Sequence, residues 1–330
     1  SDFGDASGTQ MMDTRKWQWS SQLISELGFN EDFFPDLHKP FKIGGYVSGK
    51  AGSLTGLPSG TPVAVGSGDG ITTIFGLGIF KEGQTGITVG SAGVVASPTK
   101  TFPEDKKFRA YVFCHPMCDR WFLLMATASS GEIFKWYNDN IIADKKISFS
   151  DLDREAEKSP AGSNGLVFLP YLLGSRNPHS NPKACGVLLG LKYKHRRQDI
   201  TRAILEGISY EIMDIFKVQG EILIKNKIKV NEVKLSGGII KSRFWSQLLT
   251  DILGVDLITT RIKELGTLGA SILASIAIEA FSNFESAVNS MVYNDYIISY
   301  DRKHNDLYKR KFKDFREMYE ILEPKFNLFG

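Results

Sequence analysis

EVKLSGGIIKSRFWSQLLTDILGVDLITT, residues 232 to 260, is the stretch that decides the fold class. An apolar β run ends in a Gly-Gly turn, a helix follows with Trp245, Leu248, Leu249 and Ile252 on one face, and a second β run closes the unit. Strand, helix and strand in that succession argue for an α/β or α+β architecture. The same grammar runs outward. DITRAILEGISYEIMDIFKVQ places Ile200, Ile204, Ile208 and Ile212 in one apolar stripe, a core face, with Asp199 positioned to cap. TGITVGSAGVVAS (85 to 97) reads as two strands hinged at GSAG, and RAYVFCHP and RWFLLMAT as neighbouring antiparallel strands. SSGEIFKWYNDNII (129 to 142) is a helix opened by serine caps, and GTLGASILASIAIEAF is a helix whose small residues permit close approach to the sheet. Residues 1 to 60 are irregular, with one helical stretch near SSQLISELGF, and look like the tail of something.

The 330 residues are 42% hydrophobic and 23% charged, the composition of a soluble globular protein long enough for two domains. A net charge of +3, spread along the chain, gives a nucleic-acid-binding role little support. The richest basic run, RKHNDLYKRKFKDF (302 to 315), interleaves acids and aromatics at helical spacing, so it reads as the solvated face of a helix. Three cysteines, Cys114, Cys118 and Cys185, suit a reducing cytoplasm, and CHPMC (114 to 118) has the wrong spacing for zinc, so no metal ligands are expected. No signal-peptide core is visible, and the apolar stretch at 270 to 281 is too short and too polar to span a bilayer.

The recurring element is a strand followed by a glycine turn, at 66 to 70, 90 to 93 and 237 to 238. GSGDG is neither a P-loop nor a dinucleotide fingerprint, and its Asp69 would repel a phosphate. A carboxylate on a strand-to-helix turn suits proton abstraction from a hydroxyl in phosphoryl transfer, and equally a helix cap; spacing alone leaves the two even. The later turns break the tie. TVGSAG offers Ser91 and the amides near Gly90 to phosphates, and SGGIIKS offers a flat glycine surface for an adenine ring with Ser242 at a helix start.

GSGDG, TVGSAGVV, LVFLPYLLGSRNPHSNPKACGVLLGL, AILEGISYEIMD and KLSGGIIKSRFWSQLLTDILGVDL, in that order, resemble the FGGY carbohydrate kinases, with similarity over essentially the whole chain. The resemblance implies an α/β, actin-like ATPase (ribonuclease H-like) fold with the active site between two domains. It implies a remnant of the N-terminal sugar-binding domain at 1 to 81 and a complete C-terminal nucleotide-binding domain at 82 to 330. It assigns Asp69 as general base; Gly90 and Ser91 to ATP phosphates; Gly131 and Lys135 to a helix lining the nucleotide; and Gly237, Gly238 and Ser242 to adenosine. ATP with Mg2+ and a sugar, D-xylulose foremost, are the implied ligands, in the cytoplasm, with no nucleic acid and no membrane; a homodimer is among the arrangements left open. The family's opening strand and Asp-x-Gly-Thr loop have no counterpart. DASGT (5 to 9) has one residue too many, so the expectation is a kinase without roughly its first two hundred residues, catalytically incomplete as it stands. Gly70 replaces a frequent Asn, and GSRNPH a frequent Gly-Glu-Arg before Pro-His; Arg176 and His179 in that string are read as loop braces.

Overall fold

A seven-stranded mixed sheet organises the chain. The computed structural model describes residues 1 to 144 and 146 to 328. The strands are β1 (Gln84–Val89), β2 (Gly93–Thr99), β3 (Tyr111–Cys114), β4 (Trp121–Ala126), β5 (Glu232–Ser236), β6 (Leu257–Thr260) and β7 (Asn294–Ile298). Their order across the sheet is β7-β6-β5-β1-β2-β4-β3. β1 and β2 form the hairpin expected at GSAG, β4 and β3 extend it antiparallel, and β5 and β6 add parallel to β1. The switch from antiparallel to parallel pairing falls beside β1, so the carboxyl ends of β1 and β5 lie side by side: Thr88 pairs with Ser236, and their hydroxyls bond at 2.9 Å. In open α/β sheets ligands collect at such ends.

The helices used below are α1 (Asp69–Gly76), α2 (Gly131–Trp136), α3 (Arg197–Lys225), α4 (Arg243–Leu253), α5 (Leu265–Ala277) and α6 (Arg302–Leu322). α3 is the central buried helix, enclosed on more than the expected isoleucine stripe: Glu206, Glu211 and Asp214 are buried with Ile204, Ile208 and Ile212. Asp199 sits inside α3, three residues past its N-cap, and reaches back to accept from the Arg196 amide at 2.9 Å. α6 shows the half-polar character of its sequence, burying Asn305, Tyr308, Phe312, Phe315 and Tyr319 while its charges stay outside. Among the described residues no helix is long and apolar enough to cross a membrane.

The small residues of α5 meet α1 rather than the sheet. A Cβ on Gly76 would stand 2.0 Å from the Leu265 carbonyl oxygen, and one on Gly269 2.0 Å from that of Thr72. The two helices therefore touch backbone to backbone, and Phe75, Leu77, Leu268, Ile272 and Leu273 fill the flanks. Before α1 the chain is short elements: a helix at Phe3–Ala6, a helix at Ser21–Glu26 and an antiparallel ribbon of Ile43–Tyr46 with Pro62–Ala64. Around them Phe33, Tyr46, Leu54 and Leu57 are exposed.

His115 of CHPMC is fully buried against Phe75 and Phe122. Burial, reinforced by Arg120, holds its imidazole neutral down to about pH 3. Burial also pushes the Cys114 and Cys118 thiols up to about 12.

Candidate active site

Asp69 is the first residue of α1, exposed, with Gly68 as the N-cap. Among the described residues its carboxylate accepts only from the next amide, Gly70 N, at 2.6 Å, so it does not cap the amides deeper in the helix. The carboxylate lies on the wall of a cleft of about 370 Å3, where the residues around it include Gly68, Gly70, Thr73 and, from β1, Thr88. An acid in a first turn is favoured by the partial positive charge of the helix N-terminus.

The N-terminal helix is fastened against this turn. Asp2, its N-cap, accepts from Gly4 N at 2.7 Å and from the Ser67 hydroxyl at 2.6 Å, and burial raises its pKa despite these bonds. A Cβ on Gly4 would stand 2.5 Å from the Ser67 hydroxyl, and one on Gly68 2.6 Å from Asp5 Oδ1. Gly4, Asp5 and Gly8 thus line the same cleft as Asp69. Asp5 of DASGT therefore stands on the cleft wall with Asp69, a placement that sequence reasoning passed over. The available signal was the acid beside small residues; the missing information was that the segment folds back onto residue 68.

The second cluster is built of backbone. Gly131 N donates to the Gly90 carbonyl at 2.9 Å, and Ser130 N and Glu132 N to that of Ser91 at 2.7 and 3.3 Å. The first amides of α2 are therefore satisfied by the 90–91 turn, not by the serine side chains expected as caps; Ser130 Oγ bonds Thr127 instead. A Cβ on Gly131 would stand 2.5 Å from the Gly90 oxygen, and one on Gly237 2.4 Å from the Val89 oxygen. Three separate sequence motifs, at 90, 131 and 237, so meet at the carboxyl end of β1, with the Ser91 side chain exposed. Helix α2 ends at Trp136 and continues as a π-turn to Ile142, shorter than its predicted span.

Ser242 caps α4, accepting from Trp245 N at 3.0 Å. Asp153 lies beside it, its pKa raised by burial and partly restrained by the Ser242 hydroxyl. Lys135 is exposed and pairs with Asp139 at 2.7 Å, which raises its pKa; no bond among the described residues joins it to the turns. Gly238 has no atom nearer than 3.9 Å to its would-be Cβ, leaving an open glycine face. Of the eight residues assigned from sequence, Gly90, Ser91, Gly131, Gly237 and Gly238 share one surface, Asp69 faces the adjoining cleft, Ser242 stands at the next helix start, and Lys135 turns to its own helix.

A magnesium ion would suit hard oxygen donors. Asp5 and Asp69 supply such carboxylates on the cleft wall, and among the described residues neither has an ion-pair partner.

The arrangement has counterparts. The sequence model of the FGGY family of carbohydrate kinases, C-terminal domain, matches residues 91–278, and that of the family's N-terminal domain matches residues 1–76. The xylulose kinase of Staphylococcus epidermidis is 27% identical over 319 residues, 97% of this chain and 63% of that protein. That of Escherichia coli is 29% identical over 331 residues, 98% of this chain and 65% of that one. In structure, a ligand-bound xylulose kinase from Lactobacillus acidophilus superposes with a TM-score of 0.91 at 24% identity, over 100% of this chain and 66% of that one. The chain spans just under two thirds of the length of these relatives. It belongs to the FGGY family of carbohydrate kinases and has their actin-like ATPase fold.

Proposed function

We propose that the chain carries the base and the nucleotide site of an ATP-dependent sugar kinase that converts D-xylulose to its 5-phosphate. The observation that carries this reading is the shared cleft: Asp69 lines it together with Thr88, one residue before the backbone cluster at Val89 and Gly90. Asp69 takes the proton from the attacking sugar hydroxyl. Amides and hydroxyls around Gly90 and Ser91 hold the phosphates, Gly131 lets α2 approach them, and the Gly237–Gly238 surface receives adenine with Ser242 at its border. Lys135 lies one turn further along the same helix. Asp69 and Asp5 are the carboxylates that would offer oxygen donors to a magnesium ion, which when bound with ATP would neutralise phosphate charge. Residues 1 to 81 form the sugar-side unit and 82 to 330 the nucleotide-side unit, in a cytoplasmic enzyme. D-xylulose is favoured because the relatives named above are xylulose kinases, at 27% and 29% identity.

The test is phosphoryl transfer from Mg-ATP to D-xylulose, gluconate and glycerol measured side by side in the protein extended to the length of its relatives, the 330 residues alone being expected to be catalytically incomplete. D-xylulose should be the fastest acceptor, and Asp69→Asn should lower the rate by about 10² to 10⁴. Equal rates in the two proteins would refute the base. A second reading is favoured by the exposed Phe33, Tyr46, Leu54 and Leu57: a nucleotide-binding module whose apolar face takes a partner. ATP binding without turnover of any of the three acceptors, persisting in the protein extended to the length of its relatives, would select it.

A further inference from the structure

We propose that Asn177, braced by His179 and Asp214, is a positioning residue for the phosphate-binding turn at 90–93, an inference that rests on the nucleotide reading above. Strand β3 begins at Tyr111, opposite Leu124, so it ends two residues short of Ala126 on β4. The outward amide and carbonyl of Ala126 would be left without a strand to bond. Asn177, itself buried, replaces that strand: its Oδ1 accepts from Ala126 N at 2.9 Å, its own N donates to Ala126 O at 3.3 Å, and its Nδ2 donates to Arg109 O at 2.7 Å. Here a side chain does the work of a missing ladder rung.

The next residue carries the effect to the turn. Thr127 N donates to Gly93 O at 2.9 Å, Thr127 Oγ1 accepts from Gly93 N at 2.7 Å, and the same hydroxyl bonds Ser130 Oγ at 2.9 Å. Ser130 N then donates to Ser91 O. No step between Asn177 and Ser91 is longer than one residue or one hydrogen bond. On the other side, the loop bearing Asn177 is held by His179, whose Nε2 meets Asp214 Oδ2 at 3.0 Å and whose ring stacks on Tyr319 at 4.0 Å. Asp214 lies on the buried face of α3, with Arg316 of α6 at 3.6 Å. The GSRNPH string, which the proposed chemistry leaves unused, thereby ties the rigid centre of the domain to the phosphate turn.

Calorimetric titration of wild type and Asn177→Ala with Mg-ATP and, separately, with adenosine tests this. Loss of the clamp should weaken Mg-ATP by about tenfold, the effect of one or two buried hydrogen bonds, and leave adenosine, which has no phosphate, unchanged. Equal weakening of both ligands, or of neither, overturns the positioning role while the nucleotide site stands. Wild type that binds neither ligand removes the nucleotide reading and this inference with it. Should Asn177→Ala lose its native circular dichroism, His179→Gln replaces it. That variant keeps Asn177 but slackens its brace, and the same split between Mg-ATP and adenosine is required, at about threefold. A His179→Gln protein that binds Mg-ATP as wild type does would refute the brace.

Discussion

Gly237 and Gly238 are neighbours with opposite physical duties, and alanine at each should separate the fold from the ligand. Gly237 has φ 94° and ψ −171°, a conformation essentially reserved for glycine. A Cβ there would stand 2.4 Å from the carbonyl oxygen of Val89 and 2.7 Å from its carbon. Val89 ends β1 in the middle of the sheet and is buried, so neither backbone can yield locally. Strain of this kind costs about 1 to 3 kcal/mol, and overpacking against backbone adds to it, giving about 3 to 4 kcal/mol for Gly237→Ala. Gly238 has no positive φ, and its would-be Cβ meets nothing nearer than 3.9 Å, so Gly238→Ala should change stability by less than about 0.5 kcal/mol. If the open face of Gly238 is where adenine lies, the added methyl occupies ligand space, and Mg-ATP should bind at least about tenfold more weakly. Urea unfolding measures the first quantity and calorimetric titration the second. Gly238→Ala that binds Mg-ATP like wild type would refute the adenine surface; Gly237→Ala with unchanged stability would refute the packing argument itself.

Gly269→Ala should destabilise by about 3 kcal/mol in the same urea assay, because its Cβ would stand 2.0 Å from the Thr72 carbonyl oxygen; it should also lower phosphoryl transfer, since α1 carries Asp69. Glu211 is fully buried, and burial, with Asp214 adding to it, raises its pKa well above the ordinary value. The folded state therefore holds a proton that the unfolded chain releases, so the stability Glu211 contributes is complete below about pH 4.3 and lost as pH rises above it. The stability of Glu211→Gln relative to wild type should accordingly grow by up to about 1.4 kcal/mol per pH unit from there upward, and a difference that does not vary with pH would refute the assignment. His115 is shifted the opposite way, to about 3. Its contribution is present above about pH 6.5 and lost as pH falls, again at up to about 1.4 kcal/mol per unit. His115→Asn, which can still accept the Met117 amide proton, should flatten the acid limb of the unfolding curve measured between pH 6 and pH 4.

Which elements could be read from sequence follows from the range of the forces that set them. The hairpin at GSAG, the strand-helix-strand unit at 232 to 260 and the amphipathic α6 depend on local periodicity and turn chemistry, and they stand as read. Apart from the shorter α2, the differences concern partners. Small residues on α5 announced a close approach but could not say to what, and α1 rather than the sheet took it. Serines before α2 looked like caps, yet the carbonyls of a turn forty residues earlier outcompeted them for the same amides. Asp199 does cap, but from three residues inside the helix through the Arg196 amide, and the buried Ser159 and the exposed Asn164 side chains, which no local pattern announced, also bond it. Asp5 was discounted by its spelling, since nothing within a short window shows that Ser67 would bond Asp2.

The same distinction explains why glycines at close backbone contacts stand out in the sequence. Each of Gly76, Gly131, Gly237 and Gly269 has backbone from a distant segment within about 2.5 Å of the position a Cβ would take, at 2.0 Å for Gly76 and Gly269, 2.5 Å for Gly131 and 2.4 Å for Gly237. A side chain can be exchanged for another of similar volume with modest loss, whereas a contact between two backbones admits only glycine. Asp69 is linked through α1 to α5, and Gly90 through Gly131 and its neighbour Val89 through Gly237 to α2 and β5. The distance between Asp69 and the 90–91 turn is thus set by main chain at every joint. In-line transfer demands that kind of fixed spacing, since catalysis of it is mostly positioning. Polar side chains such as Lys135, which pairs within its own helix, are free of this constraint, and that is why their roles are the harder ones to read from the chain.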